Sequence, residues 1–272
     1  MSHKKSIETD KVHLIWLDQH LGQLMLDDIN KTILEQIKTG KKATGVSNAT
    51  VNRVMSIIRA ILNRAKNEWE WIDNVPNVRM LPEPNSRVRW LTAEEAQKLL
   101  AELPSHLEAM ARFALATGLR EANVTGLMWS QIDRGRECAW IHPEQAKAGK
   151  AIAVSLNREA LEVLDKQRGQ HSQYVFSYKG EPVKKAGGKA WRNALSRAGI
   201  ADFTWHDLRH TWASWHVMNG TPLNVLKELG AWADYDTVLK YAHLSSDRLK
   251  RHAGNSKIAP NVTNLLQYKN LA

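Results

Sequence analysis

His206, Arg209 and His210 fall within residues 204–215, "TWHDLRHTWASW", where apolar and polar positions recur at helical spacing. Three chemistries compete for such a stretch: a zinc site, a phosphate-handling site, or core packing with charges at the rim. His206 and His210 are four apart, as two metal ligands on one helical face would be. The zinc-protease pattern needs a glutamate directly after the first His, and here Asp207 stands there with no obvious third ligand elsewhere. No Gly-x-x-x-x-Gly-Lys-Ser/Thr loop is present, and no carboxylates are spaced to hold two magnesium ions. No metal and no cofactor is therefore expected. Cutting a phosphodiester without metal requires cations on the non-bridging oxygens, a nucleophile, and a proton for the leaving oxygen. Candidates occur in chain order: Arg120 in "ATGLREANVTGL", Lys147 in "AKAGKAIAVSL", His206 and Arg209 in "HDLRH", and Trp232 and Tyr241 in "LGAWADYDTVLKYAHLS". Singly, each has an ordinary explanation: Trp232 and Tyr241 as packing, His206 as a satisfied core histidine, Lys147 as a turn lysine beside Lys150. Their joint order and spacing set them apart.

With these residues the chain resembles the tyrosine recombinase, or phage integrase, family. In that family an Arg after a Thr-Gly-x-Arg turn, a β-hairpin Lys, a His-x-x-Arg pair and a His or Trp precede a nucleophilic Tyr. The resemblance runs from about residue 10 and is strongest over 112–245. It implies that Tyr241 attacks the scissile phosphate, leaving a 3′-phosphotyrosine and a free 5′-hydroxyl. Arg120 and Arg209 would grip the non-bridging oxygens, and Lys147 would protonate the leaving oxygen. His206 would assist proton transfer at the tyrosine, and Trp232 would pack and donate its indole N–H. A phenol of pKa about 10 is ionised to only about one part in a thousand at pH 7, so it needs such neighbours. The family usually carries an acid three positions after the first Arg; here that position is Asn123, with Glu121 nearby.

The resemblance further implies a site-specific recombinase, prophage-integrase-like, acting on double-stranded DNA as a homotetramer through a Holliday junction. Accessory DNA-bending or excision proteins would assist, and the tail after Tyr241 would dock on a neighbouring subunit. The alternatives are a catalytically decayed DNA-binding regulator and a type IB topoisomerase-like enzyme.

The implied fold is mainly α with a small antiparallel β-sheet (α+β): a helical core-binding domain over 1–84, shortened and with linker, and a catalytic domain with tail over 85–272. The sequence supports this division. Three prolines in nine residues of "VPNVRMLPEPNSRVRW" forbid a continuous helix and read as an extended connector. Before it, Leu14, Leu17, Leu21 and Leu24 are spaced for one helical face over 11–38, interrupted at "GQ". Val51, Val54, Met55, Ile58, Ile61, Leu62 and Ala65 form the stripe of a second, better helix. Arg53, Arg59 and Lys66 lie off that stripe and, with Arg87, are candidate DNA contacts, against the plain reading of a solvated face. After the connector, Thr92 and Glu95 form a capping box, and a helix ends at Gly118. "ECAWIHP" and "KAIAVSL" read as a hairpin, and helices follow at 157–168, 189–198, 205–219, 222–229 and 234–244.

The 272 residues carry a formal charge of +10, which favours a polyanionic partner. Residues 1–86 hold 12 Lys and Arg against 10 acids, and 87–272 hold 26 against 18, so the excess sits mainly in the second part. Cys138 is the sole cysteine, and no apolar run reaches membrane-spanning length or resembles a signal peptide. These features point to a soluble, cytoplasmic protein without a membrane partner.

Overall fold

The computed structural model describes residues 7–83, 88–146 and 149–245, and the chain divides into two compact units, Met1–Ser86 and Arg87–Ala272. The first unit is built on α1 (Ile7–Leu21), α2 (Lys31–Ala43) and α3 (Asn48–Asn67). Asn30 starts α2 by accepting hydrogen bonds from the Thr32 and Ile33 N–H groups at 2.9 and 3.2 Å. The α3 stripe buries Val51, Val54, Met55, Ile58, Leu62 and Ala65, and Ile72 and Val78 of the following segment join the same core. Asn52 fastens that segment, bonding the Leu81 N–H at 2.7 Å and its carbonyl at 2.9 Å. The leucine face expected in 11–38 is only partly used. Leu17 is buried, whereas Leu14 and Leu24 are exposed, because α1 stops before Leu24 and its remaining apolar residues lie around the helix.

In the second unit Thr92 and Glu95 form the expected capping box on α4 (Ala93–Glu102). The helix α5 (Ser105–Thr117) is buried along most of its length and packs against α7 (Arg158–Gln167) and α9 (Asp207–Met218). Gly118 ends it in the left-handed conformation, φ +65°, and α6 (Glu121–Thr125) follows. Strands β1 (Ile132–Asp133), β2 (Cys138–Ile141) and β3 (Ile152–Ser155) form an antiparallel sheet in that order, with Ala139 opposite Val154. β2 and β3 are the expected hairpin; β1, two residues long, is too short for a periodicity to reveal. A second small ribbon pairs β4 (Ser177–Tyr178) with β5 (Glu181–Pro182). The remaining helices are α8 (Lys189–Arg197), α10 (Leu223–Leu229) and α11 (Asp236–Leu239). The fold is mainly α with small antiparallel sheets. Among the described residues no helix is long and apolar enough to cross a membrane.

Three helix boundaries differ from expectation where the chain approaches the chemistry. His206 sits at the N-cap of α9, outside the helix, because the Asp207 carboxylate accepts from the Thr204 N–H and O–H at 2.7 and 2.8 Å and turns the chain there. Pro222 is the N-cap of α10, so that helix begins at Leu223, one residue later than expected. The single helix expected over 234–244 is instead the four-residue α11, a turn at Tyr241, and a 3₁₀ turn over Ala242–Ser245. Tight bonds from Tyr241 N–H to the Val238 carbonyl and from Leu244 N–H to the Tyr241 carbonyl, both 3.0 Å, replace α-helical ones. Burial favours that break: Tyr241 packs with Trp212, Val217, Leu226 and Val238.

Candidate active site

Arg209 lies on the inner side of α9, between the core residues Leu208 and Trp212, and is 5% exposed. Its guanidinium donates to the Gly118 carbonyl at 2.6 Å and the Gly230 carbonyl at 2.5 Å, and stands 4.3 Å over the Trp232 ring. Two helix ends and an indole face thus hold it, and a helix C-terminus is where a cation is favoured. Both glycines are required by close approach. A Cβ on Gly118 would meet the Trp212 ring at 2.4 Å, and one on Gly230 would meet the Trp232 ring at 2.1 Å. Among the described residues neither Arg209 nor Arg120 has a carboxylate partner, although buried cations are ordinarily paired. Burial, then the Arg120 charge, lowers the Arg209 pKa to about 9, and burial lowers that of Arg120. Two cations under desolvation and mutual repulsion form a site that an anion stabilises.

Arg120, His206, Arg209, Trp232 and Tyr241 line one cleft of about 440 Å³. The Tyr241 ring is buried, and its hydroxyl lies 2.5 Å from Nδ1 of His210. Burial pushes its pKa above the ordinary tyrosine value, with the Arg209 charge acting in the opposite direction. Burial also drives the His210 pKa down to about 4, helped by Lys240, His206 and Arg209 and opposed by Asp207. Phenol and imidazole therefore meet as a neutral pair at neutral pH. His206 stands at the rim, its ring edge-on to that of His210 with centroids 5.2 Å apart. The proton-handling contact expected of His206 is made in this structure by His210. Trp232 packs on Arg209 and lies 6.2 Å, centroid to centroid, from the Tyr241 ring. No hydrogen bond from its indole N–H is present among the described residues, contrary to expectation: the indole serves through its face.

Arg120 caps α6 directly beyond the Gly118 turn. Three residues on, Asn123 is buried and donates from Nδ2 to the Gln145 carbonyl at 3.0 Å, linking the Arg120 turn to the segment that leads into the hairpin tip. Glu121 accepts from the Ala186 and Gly187 N–H groups at 2.7 and 2.9 Å, fixing the approach to α8. Lys147 lies outside the described residues; Lys150 is exposed. Two further cleft residues, His210 and Lys240, escape a motif-led reading, although each adjoins a motif residue.

The candidate DNA contacts are dispersed. Arg59 and Lys66 are exposed on α3, whereas Arg53 is ion-paired to Asp10 of α1 and so joins two helices of its own unit. Arg87, like the tail over 246–272, lies outside the described residues. No group of three or more metal-ligating side chains occurs among the described residues, so the His206–His210 pair has no metal-site companion there.

Known proteins resemble this chain in sequence and in fold. The phage integrase family model matches residues 89–248. The integrase of Salmonella phage P22 is 40% identical over an alignment spanning 99% of this chain and 80% of that protein. The integrase of Escherichia phage 186 is 31% identical, over 75% of this chain and 59% of its own length. Among solved structures, a lambda integrase dimer bound to a COC′ core site matches with TM-score 0.71 and 19% identity, covering 88% of this chain and 89% of that one. The Tn1549 transposon integrase with transposon right end DNA matches with TM-score 0.73 and 14% identity, over 93% and 95%. These two likenesses concern the fold; the family model and the phage relatives carry the assignment. The family model spans the stretch of chain that lines this cleft, and the chain belongs to the phage integrase family.

Proposed function

We propose that this protein is a site-specific tyrosine recombinase that cleaves and rejoins double-stranded DNA through Tyr241. The observation that carries this reading is two guanidiniums, without carboxylate partners among the described residues, in one cleft with a tyrosine hydroxyl. Asp234 is the acidic side chain in the cleft lining, and its carboxylate is engaged by the Asp236 N–H at 3.0 Å. Such a cleft suits a phosphodiester, whose non-bridging oxygens Arg120 and Arg209 would bind. Charge building on those oxygens in the transition state is met by donors already in place. The Tyr241 oxygen attacks phosphorus, the bond to the 5′-oxygen breaks, and that oxygen takes a proton from Lys147. The phosphodiester energy is kept in the 3′-phosphotyrosine, and the returning 5′-hydroxyl reverses the step without ATP.

Residues 1–84 with the linker would serve as core-binding domain, with Arg59 and Lys66 as phosphate contacts, and 85–272 as catalytic domain, to which Arg87 would add a further contact. A lambda integrase tetramer has been solved on a Holliday junction, with TM-score 0.71 to this chain, and a homotetrameric synapse is the assembly proposed here. Accessory DNA-bending or excision proteins would act in the same cytoplasmic complex.

The test uses duplexes selected from a random-sequence pool for binding to this protein. Each is end-labelled and nicked at successive positions so that the cleaved end diffuses away. A denaturant-resistant adduct at one position of selected duplexes, absent with Tyr241→Phe, is expected. Adduct on any sequence would instead mark a topoisomerase-like enzyme, and binding without adduct a decayed regulator.

A further inference from the structure

The reading of Tyr241 as nucleophile leaves open where its proton goes. We propose that His210 is a catalytic residue, the base that takes the Tyr241 proton through Nδ1 as the oxygen attacks phosphorus. The proposal rests on that reading of Tyr241 and on contact: the imidazole nitrogen lies 2.5 Å from the phenolic oxygen, within reach for direct transfer. His206, exposed at the rim, meets the His210 ring edge-on and makes no contact with the phenol among the described residues.

The surroundings keep the His210 ring unprotonated. Lys240 adjoins the tyrosine, with Nζ 5.4 Å from its ring centroid, and the charges of Arg209 and His206 act on the same imidazole. These cations disfavour imidazolium, and among the described residues Asp207 is the acid that opposes them. The ring is thus neutral across physiological pH, with a free lone pair for the phenol O–H to donate to. In the resting site the transfer is uphill, since burial holds the phenol proton tightly and burial and the nearby cations weaken the imidazole as a base. A phenolic oxygen that has begun to bond phosphorus is far more acidic, so the proton leaves as the Oη–P bond forms. Imidazolium results, Lys147 loses its proton to the 5′-oxygen, and both return when the strand is rejoined. One imidazole on the nucleophile and one on the phosphate side then divide work assigned to a single histidine.

The experiment measures adduct formation on a selected nicked duplex and on its copy with sulfur in place of the bridging 5′-oxygen. A thiolate leaves without protonation, so the copy restores variants that fail to protonate the leaving group and no others. His210→Asn and His210→Ala are expected to be slower by about 10²–10⁴ on both duplexes, the ordinary contribution of a general base, with DNA affinity unchanged. Their rates should rise about tenfold per pH unit as solvent hydroxide replaces the base, where the unaltered protein is flat. Free imidazole should partly restore His210→Ala. In the free protein, ¹⁵N resonances of labelled histidine should show Nδ1 of His210 as the unprotonated nitrogen, shifting with Tyr241→Phe. Rates unchanged in both variants, restoration by the sulfur duplex, or a protonated Nδ1 would each overturn the proposal. Adduct persisting in Tyr241→Phe, or missing from the unaltered protein, would overturn the underlying reading instead.

Discussion

Gly118 is the residue on which the arginine cleft can be tested without touching a charged group. Its φ is +65°, its carbonyl receives Arg209, and a methyl group there would meet the Trp212 ring at 2.4 Å. Gly199, after α8, supplies the control: φ is +68° and nothing lies within 4 Å of the added carbon. Both Gly→Ala changes carry the left-handed strain of an L residue, about 1 kcal/mol, partly offset by the lower entropy of the unfolded chain. Gly118→Ala adds the collision. Trp212 is 5% exposed and packed between His216 and Trp232, with ring centroids 4.7 and 5.9 Å away, so it can yield little. Overpacking of a core by one methyl group costs a further ~1–3 kcal/mol. At about 2–4 °C per kcal/mol for a unit of this size, Gly199→Ala should lower Tm by roughly 2–4 °C and Gly118→Ala by roughly 4–16 °C. Circular dichroism melts of the full chain measure both. Tm values within about 1 °C of each other would refute the argument that Trp212 closes over the turn.

Asn123→Asp, which restores the acid usual in the family, should destabilise this chain by about 1–3 kcal/mol, because a carboxylate would face the Gln145 carbonyl that Asn123 now donates to. Urea unfolding checks it, and a variant as stable as the parent would contradict the assigned bond. The pH dependence has a definite sign. His210 has an ordinary value of 6.5 and a folded value of about 4, so between these pH values the unfolded chain binds the extra proton. Its contribution to stability is present above pH 6.5 and is lost as pH falls toward 4. The Tm of the unaltered protein should therefore drop across that window and that of His210→Asn should drop less; equal slopes would count against a buried neutral imidazole.

Much of this was legible in the sequence because its signals are local. Thr92 and Glu95 announce a helix start, Gly118 a helix end, and the α3 stripe a buried face, each through contacts within a few residues. The order of the candidate residues Arg120, His206, Arg209, Trp232 and Tyr241 was legible through family spacing, and the cleft gathers these five side chains. What the sequence hid depends on tertiary contact. The break of the last helix at Tyr241 follows from burial of that ring against Trp212 and Leu226, which no periodicity within 234–244 encodes. Trp232 was expected to act through its N–H, but stacking on Arg209 requires knowing that two chain-distant carbonyls fix the guanidinium. His210 was visible only as half of a metal pair, since its partner lies 31 residues away. Arg53 looked like a free cation because Asp10 lies 43 residues earlier.

The central claim is that the Tyr241 oxygen becomes covalently joined to DNA. Peptide mapping by mass spectrometry of the denaturant-resistant adduct, after nuclease digestion, reads this directly. The expected product is a nucleotide joined through its 3′-phosphate to the peptide containing Tyr241, with a free 5′-hydroxyl on the released strand. A nucleotide on any other residue, or a 5′-phosphate linkage, would contradict it.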